Sequence, residues 1–206
     1  MIIDPAEKKP REIYSLLIST ITPRPIAWVS SMSADSRTNL APYSFFNGVT
    51  AAPPTIVFSP VNDRHGNKKD TVRNIEATGE FVVNIVSEEL AEAMNATSAE
   101  FEYGVSEFER CGVPSVPSQR VGPPGVAGAA VRFECVLHQI VPVGEGPLAS
   151  MLTIGRVVLF HVADEVMRDG QVDPTLLRTI GRMGGSLYTR TRDLFDIQRP
   201  AGPAAG

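Results

Sequence analysis

The runs AAVRFECVLHQIVPVG (129–144) and SMLTIGRVVLFHVADEVM (150–167) read as two long β-strands joined by a turn at Gly146-Pro147. Both are rich in Val, Ile and Phe, and Gly-Pro chemistry interrupts them once. Upstream lie shorter runs of the same kind. EFVVNIVS (80–87) and TIVFSP (55–60) are strands, PIAWVSSMS (25–33) is another, and LAPYSFFNGVT (40–50) is its partner across the turn ADSRTN. Pro42 gives that partner an irregular start, because a proline inside a strand implies an edge or a break in pairing. Helical spacing is confined to short pieces. KKPREIYSLLISTI (8–21) places Ile13, Leu16, Leu17 and Ile21 on one face and is stopped by Pro23 and Pro25. DTVRNIEATG (70–79) ends at Gly79, and SEELAEAMNAT (87–97) begins at Ser87 as N-cap. DPTLLRTIGRMGGSLYTRT (173–191) closes the core with Asp173 as N-cap and Pro174 at the first helical position. About six strands follow one another with no long alternation of strand and helix. That pattern is mainly β, an antiparallel barrel with short peripheral α-helices, rather than a doubly wound sheet.

A chain of 206 residues suits a single domain over residues 1–200. The Pro- and Gly-rich segment at 98–128 reads as an ordered excursion and 201–206 as a disordered tail. With 43% hydrophobic and 20% charged residues, the composition is that of a soluble globule. A net charge of -4 argues against a general nucleic-acid binder. No apolar run approaches the ~18 residues that suggest a membrane helix. Two isolated cysteines, Cys111 and Cys135, make no disulfide framework, and the expected location is cytoplasmic.

Most familiar catalytic signatures are missing. GPPGVAG (122–128) has the wrong glycine spacing for a dinucleotide loop, and no P-loop, nucleophile elbow or H-E-x-x-H occurs. His65, His138 and His161 lie in separate segments, and the last two read as sheet-face histidines rather than metal ligands. No side chain stands out as a catalytic group, so a cofactor is expected to carry any reaction.

Two stretches carry polar chemistry. SPVNDRHGNKKDTVRN (59–74) gathers hydroxyl, amide and cationic groups between two core strands. If Asp70-Thr71 opens a helix, its first-turn amides are unpaired and an anion can sit there beside Thr71 and Lys68 or Lys69. The alternative is a solvated connection with a capped helix. TNLAPYSFFNGV (38–49) mixes Asn39, Tyr43, Ser44 and Asn47 with apolar residues around Pro42. It reads either as an ordinary edge strand or as one with backbone amides free for a planar heterocycle.

Six segments, TPRPIAWVSS, NLAPYSFFNGVTAAPP, IVFSP, KKDTVRNI, GEFVVNIVS and GRMGGSLYTR, occur in this order. Together they resemble the flavin reductase-like family of FMN-binding split barrels, the flavoredoxin branch in particular, over about residues 10–200. The resemblance implies a homodimer binding FMN near the subunit interface. It implies that Asn39, Leu40, Ala41 and Ser44 line the isoalloxazine, that Lys69, Asp70 and Thr71 hold the phosphate, and that Tyr188 approaches the ring. Arg24, Ser59 and Arg182 belong to the same implied site, and Trp28 with the SFF aromatics (44–46) to the interface or the core. The implied activity is hydride transfer from NADH or NADPH to flavin and on to a second acceptor, a small molecule or a partner oxygenase. An FMN-binding electron carrier without nicotinamide activity is the alternative. A 2′-phosphate on the donor would call for a cation near the open face, and Arg120 is the expected one.

Overall fold

A computed structural model describes residues 1–200; the tail expected to be disordered, 201–206, lies outside the described residues. Seven strands form one antiparallel sheet: β1 (Ala27–Met32), β2 (Thr38–Tyr43), β3 (Phe46–Ala51), β4 (Pro54–Phe58), β5 (Glu80–Ile85) and two long strands. Two-residue strands β6 (Ser115–Val116) and β7 (Gly125–Val126) pair within the excursion before the long hairpin β8 (Val131–Val143) and β9 (Ser150–Val162). The order across the sheet is β2-β1-β5-β8-β9-β4-β3. Its two edges, β2 and β3, are also consecutive in the chain, separated only by Ser44 and Phe45. So short a link spans about 10 Å at most. The sheet must therefore curl until its edges nearly meet, which makes a barrel split between β2 and β3.

This closure corrects one expectation. LAPYSFFNGVT is not one strand but two, at opposite edges of the sheet. Pro42 stays in register opposite Trp28, and the break falls two residues later. Alternation alone could not reveal it, because the local pattern continues through the bend.

The curled sheet buries both faces, as the nearly uninterrupted apolar runs of β1 and β5 require. Ala27, Val29, Phe58, Phe81, Val83 and Cys135 fill the barrel. Gly155 is needed there, since a Cβ at that position would collide with the Phe81 ring. On the outer face Trp28, Leu40, Met94, Phe108 and Ile180 form a second cluster. Trp28 is fully buried and donates to Thr97 Oγ1 at 2.9 Å, so it is a core residue and not an interface residue.

The helices are short. α1 (Pro10–Thr20) buries no residue, and Tyr14, Leu16, Leu17 and Ile21 remain exposed. α2 (Asp70–Thr78) ends at Gly79, whose φ of 73° is left-handed. A 3-10 turn, Glu88–Leu90, precedes α3 (Ala91–Ala96); Ser87 stands before it but makes no side-chain cap. α4 (Glu107–Arg110) lies in the excursion. That segment is pinned from below: Glu134 accepts the amides of Gln119 and Arg120, and Asn84 accepts that of Val126. His161 is likewise paired, its Nε2 2.6 Å from Glu134 Oε1. After the small hairpin β10 (Met167–Arg168) and β11 (Gln171–Val172), Asp173 caps α5 (Pro174–Leu177) as its sequence indicates. The closing helix stops there. Residues beyond it form the hairpin β12 (Ile180–Arg182) and β13 (Tyr188–Arg190), because Ile180 completes the outer cluster and Gly184-Gly185 supplies a turn.

Candidate functional site

Two cavities, of about 350 and 200 Å³, share Pro42 and Ser98 at the edge of β2. The larger is bounded by β2, the 63–71 connection and the start of the excursion, with Asn39, Ala41, Lys69, Asp70 and Thr71 around it. Sequence reading places these five at one site, and the structure brings them to one cavity. The smaller is bounded by Ser44, Met94, Asn95, Arg182 and Tyr188.

Thr71 organises the larger cavity. Its Oγ1 accepts from Asn39 Nδ2 at 2.8 Å and from Tyr43 OH at 2.9 Å. A hydroxyl has two lone pairs and one proton, so the capacity Thr71 has left is as a donor. Burial raises the Tyr43 pKa far above its ordinary value, against the hydrogen bond to Thr71, and nearby Glu107 and Asp70 raise it further. The phenol therefore keeps its proton and remains a donor. Lys69 precedes α2 with no side-chain cap, and the amides of Asp70 and Thr71 make no hydrogen bond within the described residues. Such a helix start favours an anion.

The charges here are balanced. Lys68 Nζ lies 2.6 Å from Glu76, and Lys69 Nζ 3.7 Å from Glu100. Asp70 does not cap its helix; its Oδ2 accepts the Gly104 amide at 3.2 Å and so anchors the excursion. Glu107, a residue the sequence reading missed, is 8% exposed and accepts the Leu40 amide at 2.8 Å. That outward amide of β2 is thus taken, and Pro42 supplies none, which corrects the expectation of free amides along this edge. Leu40 itself points into the outer core. Burial raises the Glu107 pKa, and Asp70 adds to the effect against the Leu40 amide.

At the smaller cavity the balance is different. Arg24, 4% exposed, donates to Ser44 Oγ at 3.3 Å and to the carbonyls of Ile18, Ile21 and Met183 at 2.5, 2.9 and 3.0 Å. The first two carbonyls are the open end of α1, a place that suits a cation. Arg24 and Arg182 are bridged through their backbones, N to O at 3.0 and 2.8 Å. Arg182 stacks over the Tyr188 ring at 4.4 Å and donates to Gly185 O, while Tyr188 OH meets Asn95 Oδ1 at 3.1 Å. Ser59 borders neither cavity; its Oγ pairs with Ser150 Oγ at 2.5 Å. Arg120 borders neither, and its backbone amide is held by Glu134.

Comparison with known proteins places this geometry. The family described as flavin reductase like domain matches residues 19–183. Nitrilotriacetate monooxygenase component B from Bacillus cereus is 39% identical, with a TM-score of 0.91 over 96% of this chain and 98% of that one. The 2-nitrobenzoate 2-nitroreductase of Pseudomonas fluorescens is 31% identical, with a TM-score of 0.88 and full coverage of both chains. A Shewanella frigidimarina protein with a split barrel domain, 21% identical at a TM-score of 0.81, shares the fold. With its barrel, its open split and its family match over most of the length, this chain belongs to the flavin reductase-like family of split-barrel proteins.

Proposed function

We propose that the protein binds FMN across the two cavities, phosphate at the start of α2 and ring toward Ser44 and Tyr188, and acts as an NAD(P)H-dependent oxidoreductase. The observation that carries the reading is Thr71. Its hydroxyl has only a proton left to offer, beside two unpaired helix amides, and phosphate oxygens accept what these groups donate. Lys68 and Lys69 add charge at the rim, reduced by their acidic partners. The residues present therefore fit the phosphate of a mononucleotide.

Bound FMN would supply the redox chemistry, accepting a hydride from NADH or NADPH and passing electrons to a second acceptor. The protein's own tasks are positional. Asn39 and Ala41 form the floor at β2, Asn39 and Tyr43 hold Thr71 in its donating orientation, and the split keeps one side open to a transient donor. The likeness to a monooxygenase component supports a partner oxygenase as one acceptor. The uncovered apolar residues of α1, with Leu187, Leu194, Phe195 and Ile197 near the carboxy terminus, support a homodimer whose second copy covers them. The absence of any helix long and apolar enough to cross a membrane, among the described residues, is compatible with a cytoplasmic setting.

Titrating the purified protein with FMN and with riboflavin tests the reading. FMN fluorescence should be quenched saturably and more tightly than riboflavin, and NADH or NADPH should bleach the bound flavin. Equal affinity for the two flavins would remove the phosphate site. Binding without bleaching would leave an electron carrier.

A further inference from the structure

Every partner of the Arg24 and Arg182 guanidinium groups among the described residues is neutral: a hydroxyl, backbone carbonyls and aromatic rings. Buried cations are ordinarily matched by a carboxylate, because removing them from water is costly. Arg24 is buried in this way, and the half-buried Arg182 stands beside it. The Arg24 pKa lies below its ordinary value mainly through burial, against an opposing effect of Tyr14, with a smaller contribution from repulsion by Arg182. Arg182 borders the smaller cavity and Arg24 lies behind it, in contact through Ser44; among the described residues its lining combines Ile26, Pro42 and Met94 with Ser44, Asn95, Ser98 and Tyr188 and holds no acidic residue. The Ser44 hydroxyl, which accepts a hydrogen bond from Arg24 Nε, borders this cavity and carries that polarisation into it.

We propose that Arg182, with Arg24 acting through Ser44, makes the protein hold FMN more tightly when reduced than when oxidised. This rests on the reading that the flavin ring lies in the smaller cavity. Transfer of a hydride from the nicotinamide donor, which leaves as its oxidised cation, adds one negative charge to the ring until a proton follows from water. Two cations without a carboxylate partner, Arg182 on the lining and Arg24 behind Ser44, favour that charge, whereas the neutral oxidised ring gains little from them. The functional consequence is retention. Reduction tightens the complex, so the electrons are handed on from the protein surface instead of leaving with free reduced flavin.

The test compares the parent, Arg182→Gln, Arg182→Lys and Ser44→Ala. The dissociation constant for oxidised FMN is read by fluorescence quenching and the midpoint potential by anaerobic equilibration with a reference dye. Arg182→Gln should leave oxidised FMN within about twofold, and reduced FMN should weaken about tenfold, which for a two-electron couple is ~30 mV toward more negative potential. Arg182→Lys should keep most of the parent potential, and Ser44→Ala should move part of the way. An unchanged potential in Arg182→Gln and Ser44→Ala, with FMN still bound, overturns the inference, as does an equal loss of both redox forms. A parent protein that binds no FMN overturns the functional reading itself, and this inference falls with it.

Discussion

At the start of α2 each lysine faces a carboxylate, Lys68 with Glu76 and Lys69 with Glu100, while on the far side of Pro42 the arginines Arg24 and Arg182 face only neutral groups among the described residues. The two cavities thus handle charge in opposite ways. In the proposed complex, where ion pairs already neutralise the cations, recognition of an anion falls to oriented donors, namely the Thr71 hydroxyl and the helix amides. Where no carboxylate faces the cations, their field would do the discriminating. Exposed ion pairs contribute little because water and salt screen them, but a buried cation such as Arg24 is screened much less. A basic-looking run such as HGNKKDT is therefore a poor guide to local charge. Its lysines are balanced by Glu76 in the helix that follows and by Glu100 in the excursion.

The sharpest way to break this contrast is Thr71→Val. The substitution keeps shape but strands two donors, Asn39 Nδ2 and Tyr43 OH. A buried donor left unpaired costs about 1–3 kcal/mol. Urea denaturation should show a loss on that scale, and FMN should weaken about tenfold or more, since ~1.4 kcal/mol is one decade. Riboflavin affinity should change far less. Equal effects on both flavins would mean that Thr71 does not recognise phosphate.

A second prediction concerns Glu107, the buried acid of the balanced end. Its folded pKa is raised above the ordinary 4.5, so the native state holds the proton more tightly than the unfolded chain. The resulting stability is present below 4.5 and lost as pH rises through the raised value. Glu107→Gln cannot titrate and lacks that slope. Its stability relative to the parent should improve as pH climbs from 4.5, as denaturation at a series of pH values would reveal. Parallel curves would mean that the carboxyl is not held protonated.

Smaller effects should follow at the rim. Lys68→Ala and Lys69→Ala are expected to weaken FMN by no more than about threefold each, with little dependence on salt, because exposed pairs of this kind are worth about 0–1 kcal/mol. A tenfold, strongly salt-dependent loss would show that net charge, not oriented donors, governs this end. Smallest of all is Arg120→Ala. Away from both cavities, it should leave the ratio of NADH to NADPH turnover unchanged within about twofold, on the order of 0.4 kcal/mol. A larger change would bring the excursion to the donor face.

Much of the architecture was legible because it is local. Alternation marks β8 and β9, Gly79 ends α2, Asp173 and Pro174 start α5, and a proline at 42 belongs on an edge, where β2 lies. The polar stretch around Thr71 was legible for the same reason: hydroxyl, amide and charge sit within a few residues at a helix start. What tertiary structure alone decided concerns distant partners. Ser44 marks the split only because the sheet closes on itself, which no strand encodes singly. Glu107 reaches Leu40 across 67 residues, Tyr188 reaches Asn95 across 93, and Arg24 reaches Met183 across 159. The closing segment gave up its helix after Leu177 because pairing of Ile180 to Arg182 with Tyr188 to Arg190 buries Ile180 in the outer cluster. Periodicity records which face of an element is apolar. Which arginines are left without a carboxylate depends on chain closure, because their neighbours come from distant segments, and in the proposed complex that difference decides what each end can recognise.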